Sequence, residues 1–266
     1  MCLILFASRI HARYPLIVAA NRDESYERPS ARASFWSDHP HVYAGRDLEH
    51  GGTWLGISTN GRFAAITNYR QGHRIAAARR SRGELTRDYL VGAEPAATYV
   101  EAVARRAHGY NGFSLIAGEP GRLYFYSNRG NGVQAIEPGV HGLSNHLLDE
   151  PWPKVERGIA VLSSLARAEE TEITATLFEL LADRAPAPDE LLPATGIALD
   201  RERALSAAFI AGQTYGTRAS TVLLVDAGGE ALFHERSYGA RGALNGTTEQ
   251  RFALELKAPA ASHAEA

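Results

Sequence analysis

The chain has 266 residues, of which 45% are hydrophobic, and a formal net charge of -2 at pH 7, so it can bury a substantial core as one large domain or two small ones. Its 28 basic and 30 acidic residues are mixed along the length, which argues against a nucleic-acid partner. The single cysteine excludes an internal disulfide, no CxxC pair or His-rich cluster suggests a metal site, and no stretch approaches the roughly 18 apolar residues of a transmembrane helix. We expect a cytoplasmic protein without a transmembrane segment.

The chain opens with a candidate nucleophile. The only cysteine, Cys2, begins an apolar run that predicts a first strand over Cys2–Ser8. Removal of Met1, which a small second side chain permits, would leave a thiol and a free α-amine on one residue. Because the thiol and the amine titrate near pH ~8.5 and ~7.7–8.0, the pair can supply a thiolate or pass a proton at neutral pH. The alternative is that Cys2 is a small buried hydrophobe, as free cysteines often are.

A polar cluster follows the second predicted strand, Leu16–Ala20. Asn, Arg, Asp and Glu at positions 21–24 come directly after this strand, so we expect their side chains to gather at one rim of the sheet. The alternative is a solvated turn, since Asn and Asp are common turn residues. Similar polar groups stand beside three other predicted strands: Thr67-Asn68 at the end of one, Ser144-Asn145 after the segment 139–143, and residues 215–218 just before a strand from Ser220.

Two hairpins are predicted from turn residues. Asn60-Gly61 separates the apolar runs Trp54–Ser58 and Phe63–Asn68, and both turn positions tolerate positive φ. Residues 227–230, which include two glycines, join two further strand-like runs in the same way. The remaining strand-like runs lie over residues 113–117, 123–127, 220–226 and 231–237.

Helical spacing dominates the middle of the chain. Apolar residues at three- and four-residue steps predict helices from Pro95, from Pro153 and around Ile173–Leu181. Strands at both ends with helices between them favour an α+β arrangement, in which sheets pack together and are covered by helices. We expect a single domain over residues 1–256 and a frayed tail over residues 257–266.

Two features can be structural or functional. Trp54 lies in the Gly-rich hairpin, where a tryptophan is more often a core residue than a ligand contact. The basic run Arg79–Arg82 can meet a phosphate through the planar arginine fork, although charge runs are usually solvated. Both alternatives stay open at this point.

The motifs taken together resemble the NRDE proteins, a family that includes the Transport and Golgi organization 2 proteins. The resemblance covers nearly the whole chain, and it is specific because the motifs occur together and in order. The matching segments are 21–24 after an initial Met-Cys, 51–56, 67–70, 81–83, 110–113, 142–145, 151–154 and 215–218.

The resemblance implies a four-layer αββα sandwich of the N-terminal nucleophile hydrolase type, with two stacked antiparallel sheets between helical layers. The chain is also similar to cysteine amidohydrolases that cleave bile-salt conjugates and penicillin V, in which a second-position Cys works with an Asp after the next strand. The residues that match catalytic positions are Cys2, Asp23, Asn68, Asn145 and Arg218. The residues implied in motif or ligand contacts are Asn21, Arg22, Glu24, Trp54 and Arg70.

The implied roles follow from residue type. Asp23 would orient the ammonium or thiol of Cys2, because a carboxylate stabilises a nearby cation. An amide donor from Asn68 or Asn145 would meet the developing oxyanion, a contact worth about 3–4 kcal/mol, and Arg218 would hold a negative charge. The first hypothesis is an N-terminal-cysteine hydrolase or acyltransferase, acting on an amide or thioester of a small molecule and requiring no cofactor.

The second hypothesis is a binding protein without catalysis. The resemblance implies haem trafficking, or the handling of acyl-coenzyme A and lipids, in the same pocket. Haem would need an axial ligand such as His or Cys. The sequence does not distinguish the candidate histidines His50, His73, His141 and His146.

Overall fold

A computed structural model describes residues 2–72 and 80–255 of the chain. Met1, His73, Arg79 and the predicted tail 257–266 lie outside the described residues. None of the helices in the described ranges is long and apolar enough to cross a membrane.

The described residues form thirteen strands and five α-helices. The strands are β1 (Cys2–Ser8), β2 (Leu16–Ser25), β3 (Ser30–Phe35), β4 (Val42–Asp47), β5 (Leu55–Ser58), β6 (Phe63–Asn68), β7 (Phe113–Glu119), β8 (Arg122–Ser127), β9 (Gly132–Ala135), β10 (Gly139–Leu143), β11 (Tyr215–Val225), β12 (Glu230–Tyr238) and β13 (Leu244–Ala253). The helices are α1 (Gly83–Val91), α2 (Ala96–Arg106), α3 (Pro153–Ser164), α4 (Glu170–Leu181) and α5 (Leu199–Ser206).

The strands form two antiparallel sheets. The first sheet has six strands in the order β10-β1-β2-β11-β12-β13, and the second has seven in the order β3-β4-β5-β6-β7-β8-β9. The first sheet thus combines strands from both ends of the chain, whereas the second is an uninterrupted series of neighbours. Cys2 begins β1, the second strand from one edge of the first sheet, between β10 and β2.

Both faces of β1 are buried, which explains its continuous apolar sequence. Side chains alternate between the faces of a strand, so Ile4 and Phe6 join the core between the two sheets. Leu3 and Leu5 point the other way and pack against α3 and α4. Helices α1 and α2 cover the outer face of the second sheet through their own apolar cluster. The structure is therefore the four-layer αββα sandwich that the resemblance implied, with two stacked antiparallel sheets between helical layers.

The polar cluster at residues 21–24 is part of β2 and does not follow it. Arg22 lies opposite Cys2 in the register with β1, and Asp23 lies opposite Thr217 of β11. Because both neighbouring strands continue the hydrogen-bonded ladder, successive side chains of this cluster face opposite sides of the sheet. The prediction that the strand ends at Ala20 was wrong, and so was the placing of residues 215–218 before their strand, since they lie within β11.

A glycine in α3 allows the helix to approach the first sheet closely. A Cβ atom at Gly158 would lie 2.3 Å from Cδ1 and 2.5 Å from Cδ2 of Leu5, a side chain that is fully buried. We expect Gly158→Ala to lower the free energy of unfolding by about 1–2 kcal/mol, because overpacking outweighs the gain in helix propensity. Urea unfolding measures this. The matched control is Gly109→Ala, whose Cβ would meet only Arg80 Cδ at 3.8 Å; an equal loss in both variants would contradict the explanation.

Candidate active site

Cys2 lies at the wall of a polar pocket. The pocket has a volume of about 300 Å³, which is at the lower end of the range for small-molecule sites. Of the residues that the resemblance implied, six line this pocket: Cys2, Arg22, Asp23, Glu24, Trp54 and Asn68. The thiol is thus beside polar groups, although its neighbours in β1 are aliphatic.

The backbone of Cys2 is held on both sides. Its N–H donates to Oδ1 of Asn145 at 3.2 Å, and its carbonyl oxygen accepts from Oγ of Ser144 at 3.3 Å. Burial raises the pKa of the Cys2 thiol, and the carboxylate of Asp23 adds to the increase. In this state the thiol is protonated at neutral pH, so attack on a carbonyl requires a base that removes its proton.

Asp23 is a buried carboxylate on the helix-facing side of β2, with 2% of its surface exposed. Its Oδ1 accepts a hydrogen bond from Oγ1 of Thr217 at 2.7 Å, and its backbone carbonyl accepts from the hydroxyl of Tyr215 at 3.1 Å. Burial raises the pKa of Asp23, while the positive charge of Lys154 acts in the opposite direction. A negative charge at Asp23 therefore depends on nearby cations.

Lys154 is a residue of this site for which the sequence suggested no role. It is 5% exposed, and its Nζ donates to the backbone oxygens of Leu205 at 2.9 Å and Ala207 at 3.4 Å. These carbonyls lie at the end of α5, where the helix dipole favours a cation. The sequence contains one indication of this residue: Lys154 is the last residue of segment 151–154, one of the segments that resemble the family.

The charge of Lys154 has a consequence for the pH dependence of stability. Burial lowers its pKa from 10.5 to about 8, so between these pH values the unfolded chain binds more protons than the folded protein, and stability rises with pH. We expect the free energy of unfolding of the wild type to gain about 3 kcal/mol relative to Lys154→Met across that interval. Urea unfolding at several pH values measures it, and parallel curves for the two proteins would contradict it.

Asn145 connects three strands of the two sheets at the pocket. It has φ of 57°, a left-handed conformation that Asn tolerates better than most residues. While Oδ1 accepts from Cys2, Nδ2 donates to the backbone oxygen of Asn68 at 2.9 Å. The side-chain amide of Asn145 therefore joins the end of β6 to the start of β1, and Asn68 itself is one of the residues that line the pocket.

Arg22 and Trp54 form one wall of the pocket. The guanidinium of Arg22 lies 4.5 Å from the centre of the indole ring, and its Nη2 is 3.9 Å from Oε2 of Glu24. Trp54 packs against the backbone at Gly45, where a Cβ atom would lie 2.1 Å from the indole. Trp54 is thus a packed residue that also lines the pocket, and its role as a ligand contact stays a prediction.

Two of the residues implied by the resemblance have structural contacts away from the pocket. Nδ2 of Asn21 donates to the backbone oxygens of Leu181 and Ala208, each at 2.8 Å, which attaches the helical layer to β2. Arg70 forms a buried ion pair with Glu202 at 2.5 Å, and the ring of Trp152 lies 4.5 Å from its guanidinium.

Arg218 lines a separate cavity of about 150 Å³. Its Nη1 donates to the backbone oxygens of Ser25 at 2.8 Å and Arg28 at 2.7 Å. Arg22 and Trp54 border both this cavity and the Cys2 pocket, so they stand between Arg218 and the thiol.

The candidate histidines of the described residues have different surroundings in the structure. His50 lines the Cys2 pocket, His141 bonds to Asp149 at 2.7 Å, and His146 bonds to the hydroxyl of Tyr69 at 2.6 Å. Within residues 2–72 and 80–255, no group of three His, Cys, Asp or Glu side chains is arranged to hold a metal ion.

Comparison with known proteins identifies relatives in sequence and solved structures of similar fold. The family model for Transport and Golgi organisation 2 matches residues 1–240. The Transport and Golgi organization protein 2 homolog of Bos taurus is 41% identical over 240 residues, covering 84% of this chain and 87% of that protein; the Homo sapiens homolog is 39% identical with the same coverage. An N-acylethanolamine-hydrolyzing acid amidase ortholog of Caenorhabditis elegans matches with a TM-score of 0.49 and 14% identity, covering 84% of this chain and 92% of that one.

Proposed function

This chain belongs to the Transport and Golgi organisation 2 family, and on that premise we propose that it is an N-terminal-cysteine hydrolase or acyltransferase, acting on an amide or thioester bond of a small molecule. The observation that carries the proposal is the position of Cys2, which begins β1 and lines a polar pocket with Asp23. The cytoplasm is the proposed location, since a chain with a single cysteine suits a reducing compartment.

Before any reaction, maturation removes Met1 by hydrolysis of the Met1–Cys2 peptide bond, which turns the nitrogen of Cys2 into an α-amine. This amine takes the proton of the thiol, and Sγ then forms a bond to the carbonyl carbon of the substrate. The proton returns from the amine to the leaving nitrogen or sulfur as its bond to carbon breaks. Water then attacks the resulting thioester and releases Cys2 and a free acid, or an acceptor amine or thiol takes the acyl group.

The neighbouring residues have separate roles in this mechanism. Asp23 stabilises the ammonium form of the α-amine, and Lys154 keeps that carboxylate charged inside the protein. Asn68 lines the pocket, and its side-chain amide is the donor for the oxyanion, a contact that in well-studied hydrolases is worth about 3–4 kcal/mol. Asn145 holds the nitrogen of Cys2 in place.

The test of the proposal is the mass of the intact protein, followed by trapping of the acyl group. We expect the purified chain to lack Met1 and, after brief exposure to an activated acyl thioester, to carry one acyl group on Cys2 that hydroxylamine removes. Retention of Met1 in a fully folded sample, or acylation that is unaffected by Cys2→Ala, would exclude this mechanism.

A second candidate is binding of acyl-coenzyme A or haem without catalysis. It is favoured by the raised pKa of the Cys2 thiol, which burial makes a poor nucleophile while it is protonated. For haem, the pocket offers Cys2 and His50 as ligand types, but charged side chains dominate its lining, and a flat macrocycle needs mostly apolar walls. The residues therefore do not fit haem, and acyl-coenzyme A is the better ligand. Saturable binding of palmitoyl-coenzyme A that survives Cys2→Ala would support this candidate.

A further inference from the structure

The pocket around Cys2 is lined by four arginines, and three of them have an anionic or aromatic partner. Arg28 pairs with Asp47 at 2.7 Å and with Glu49 at 2.9 Å. Arg80 pairs with Glu84 at 2.5 Å, and Arg22 stacks on Trp54 as described above. The charges of Arg28 and Arg80 are thus neutralised within the protein.

Arg82 differs from the other three. It is half-buried directly before α1, and its Nη1 donates to the backbone oxygen of Gly112 at 3.1 Å. Among the described residues no carboxylate forms an ion pair with Arg82, and the segment 73–79 contains no Asp or Glu. That one bond uses only one of the five N–H donors of a guanidinium.

The positive charge of Arg82 interacts electrostatically with Cys2, the nucleophile. Both residues line the same pocket, and burial lowers the pKa of Arg82 while negative charge on Cys2 and on Glu24 raises it. A partly buried cation without a carboxylate partner is costly unless a ligand supplies the opposite charge. The arrangement is therefore suited to an anion that arrives with the substrate.

We propose that Arg82 binds a carboxylate carried by the ligand that reaches Cys2, so that the pocket selects acyl compounds with one negative charge. The naming of an acyl compound rests on the proposed function, whereas the anion site does not. A carboxylate matches the planar fork of arginine. A single charge is favoured over a phosphate dianion because Glu24 also lines the pocket and its carboxylate repels a second negative charge.

The experiment compares two alkylating reagents that differ in charge. Cys2 is the only cysteine, so thiol alkylation by iodoacetate and iodoacetamide occurs at this residue alone, and peptide mass mapping identifies it. In both reactions the thiolate sulfur forms a bond to the methylene carbon and iodide leaves with the electrons of the broken carbon–iodine bond. Both reagents react with the same thiolate, so the fraction of Cys2 that is deprotonated cancels in the ratio of the two rates. The ratio therefore measures how strongly the site favours an anionic reagent over a neutral one.

We expect Arg82→Gln to lower the rate ratio of iodoacetate to iodoacetamide about tenfold, with little change in the iodoacetamide rate. Arg82→Lys should retain a large part of the ratio, because it keeps the charge. The matched control is Arg80→Gln, a neutralised arginine on the same pocket, which should change the ratio less than about twofold. The effect of Arg82 should also shrink as the salt concentration rises.

Two outcomes would overturn the proposal. One is an unchanged ratio in Arg82→Gln, and the other is equal slowing of both reagents, which indicates a general change of structure at Cys2. Alkylation requires no turnover, so a protein without acyl-transfer activity that still shows the tenfold drop keeps the anion site and loses only the proposed enzyme.

Discussion

Under the proposed function, replacing Cys2 with alanine is expected to lower the rate of acyl transfer about 10⁴-fold or more, as loss of a covalent nucleophile does in well-studied hydrolases. The fold should persist, because the contacts of Cys2 with Asn145 and Ser144 are made by its backbone. The buried apolar surface of β1 comes from its other residues, which the substitution leaves unchanged. Initial rates on a panel of acyl amides and acyl thioesters, together with circular dichroism, measure both effects.

Two further variants make this result specific. Cys2→Ser places a hydroxyl where the thiol was and should lose nearly as much activity, since a neutral hydroxyl is a weaker nucleophile than a thiolate. Ser164→Ala, at the exposed end of α3, is the control and should leave the rate unchanged. A Cys2→Ala protein that retains more than about a tenth of the wild-type rate would exclude covalent catalysis by the thiol.

Replacing Glu202 with alanine is expected to lower the free energy of unfolding by about 3–5 kcal/mol, because the guanidinium of Arg70 then stays buried without this carboxylate. Both side chains of the pair are at most 5% exposed, so water screens neither charge. Glu202 also accepts a hydrogen bond from Thr195, and the variant loses that contact as well. Urea unfolding monitored by tryptophan fluorescence measures the loss.

The surface ion pair of Arg203 and Asp189 is the control for this prediction. Its side chains are 44% and 50% exposed, so Asp189→Ala should cost far less stability than Glu202→Ala, because water screens both charges. The double variant Arg70→Met with Glu202→Leu should recover most of the loss, because it removes both buried charges. A loss below about 1 kcal/mol in Glu202→Ala would show that the Arg70 pair does not stabilise the fold.

Elements with a strong apolar period were predicted well. The strand Cys2–Ser8 and the hairpin of β5 and β6 were confirmed, and the helix from Pro153 begins at that residue. These elements bury one or two faces regularly, so their pattern is visible in a single sequence. By contrast, β13 was missed because it is a largely exposed edge strand that is determined by its pairing with β12.

The site was predicted in part. The resemblance selected Cys2, Asp23 and Asn68, and the structure brings these three to one pocket. It did not suggest a role for Lys154, and the basic run was left open between solvent and an anion. The difference arises because the partners of Arg82 and Lys154 come from segments distant in the chain, and no local pattern records which cations have a carboxylate nearby.

By itself, the sequence determined the family, the α+β class and the identity of the leading thiol, since motifs and apolar periodicity are properties of consecutive residues. Only the tertiary structure decided that residues 21–24 continue β2 and alternate between its faces, because this depends on β1 and β11 pairing with them on either side. The tertiary structure also decided which charged side chains of the pocket have an ion-pair partner. Burial and ion pairing depend on the distances between segments that fold together, and these set whether a cation is neutralised or left to meet a ligand.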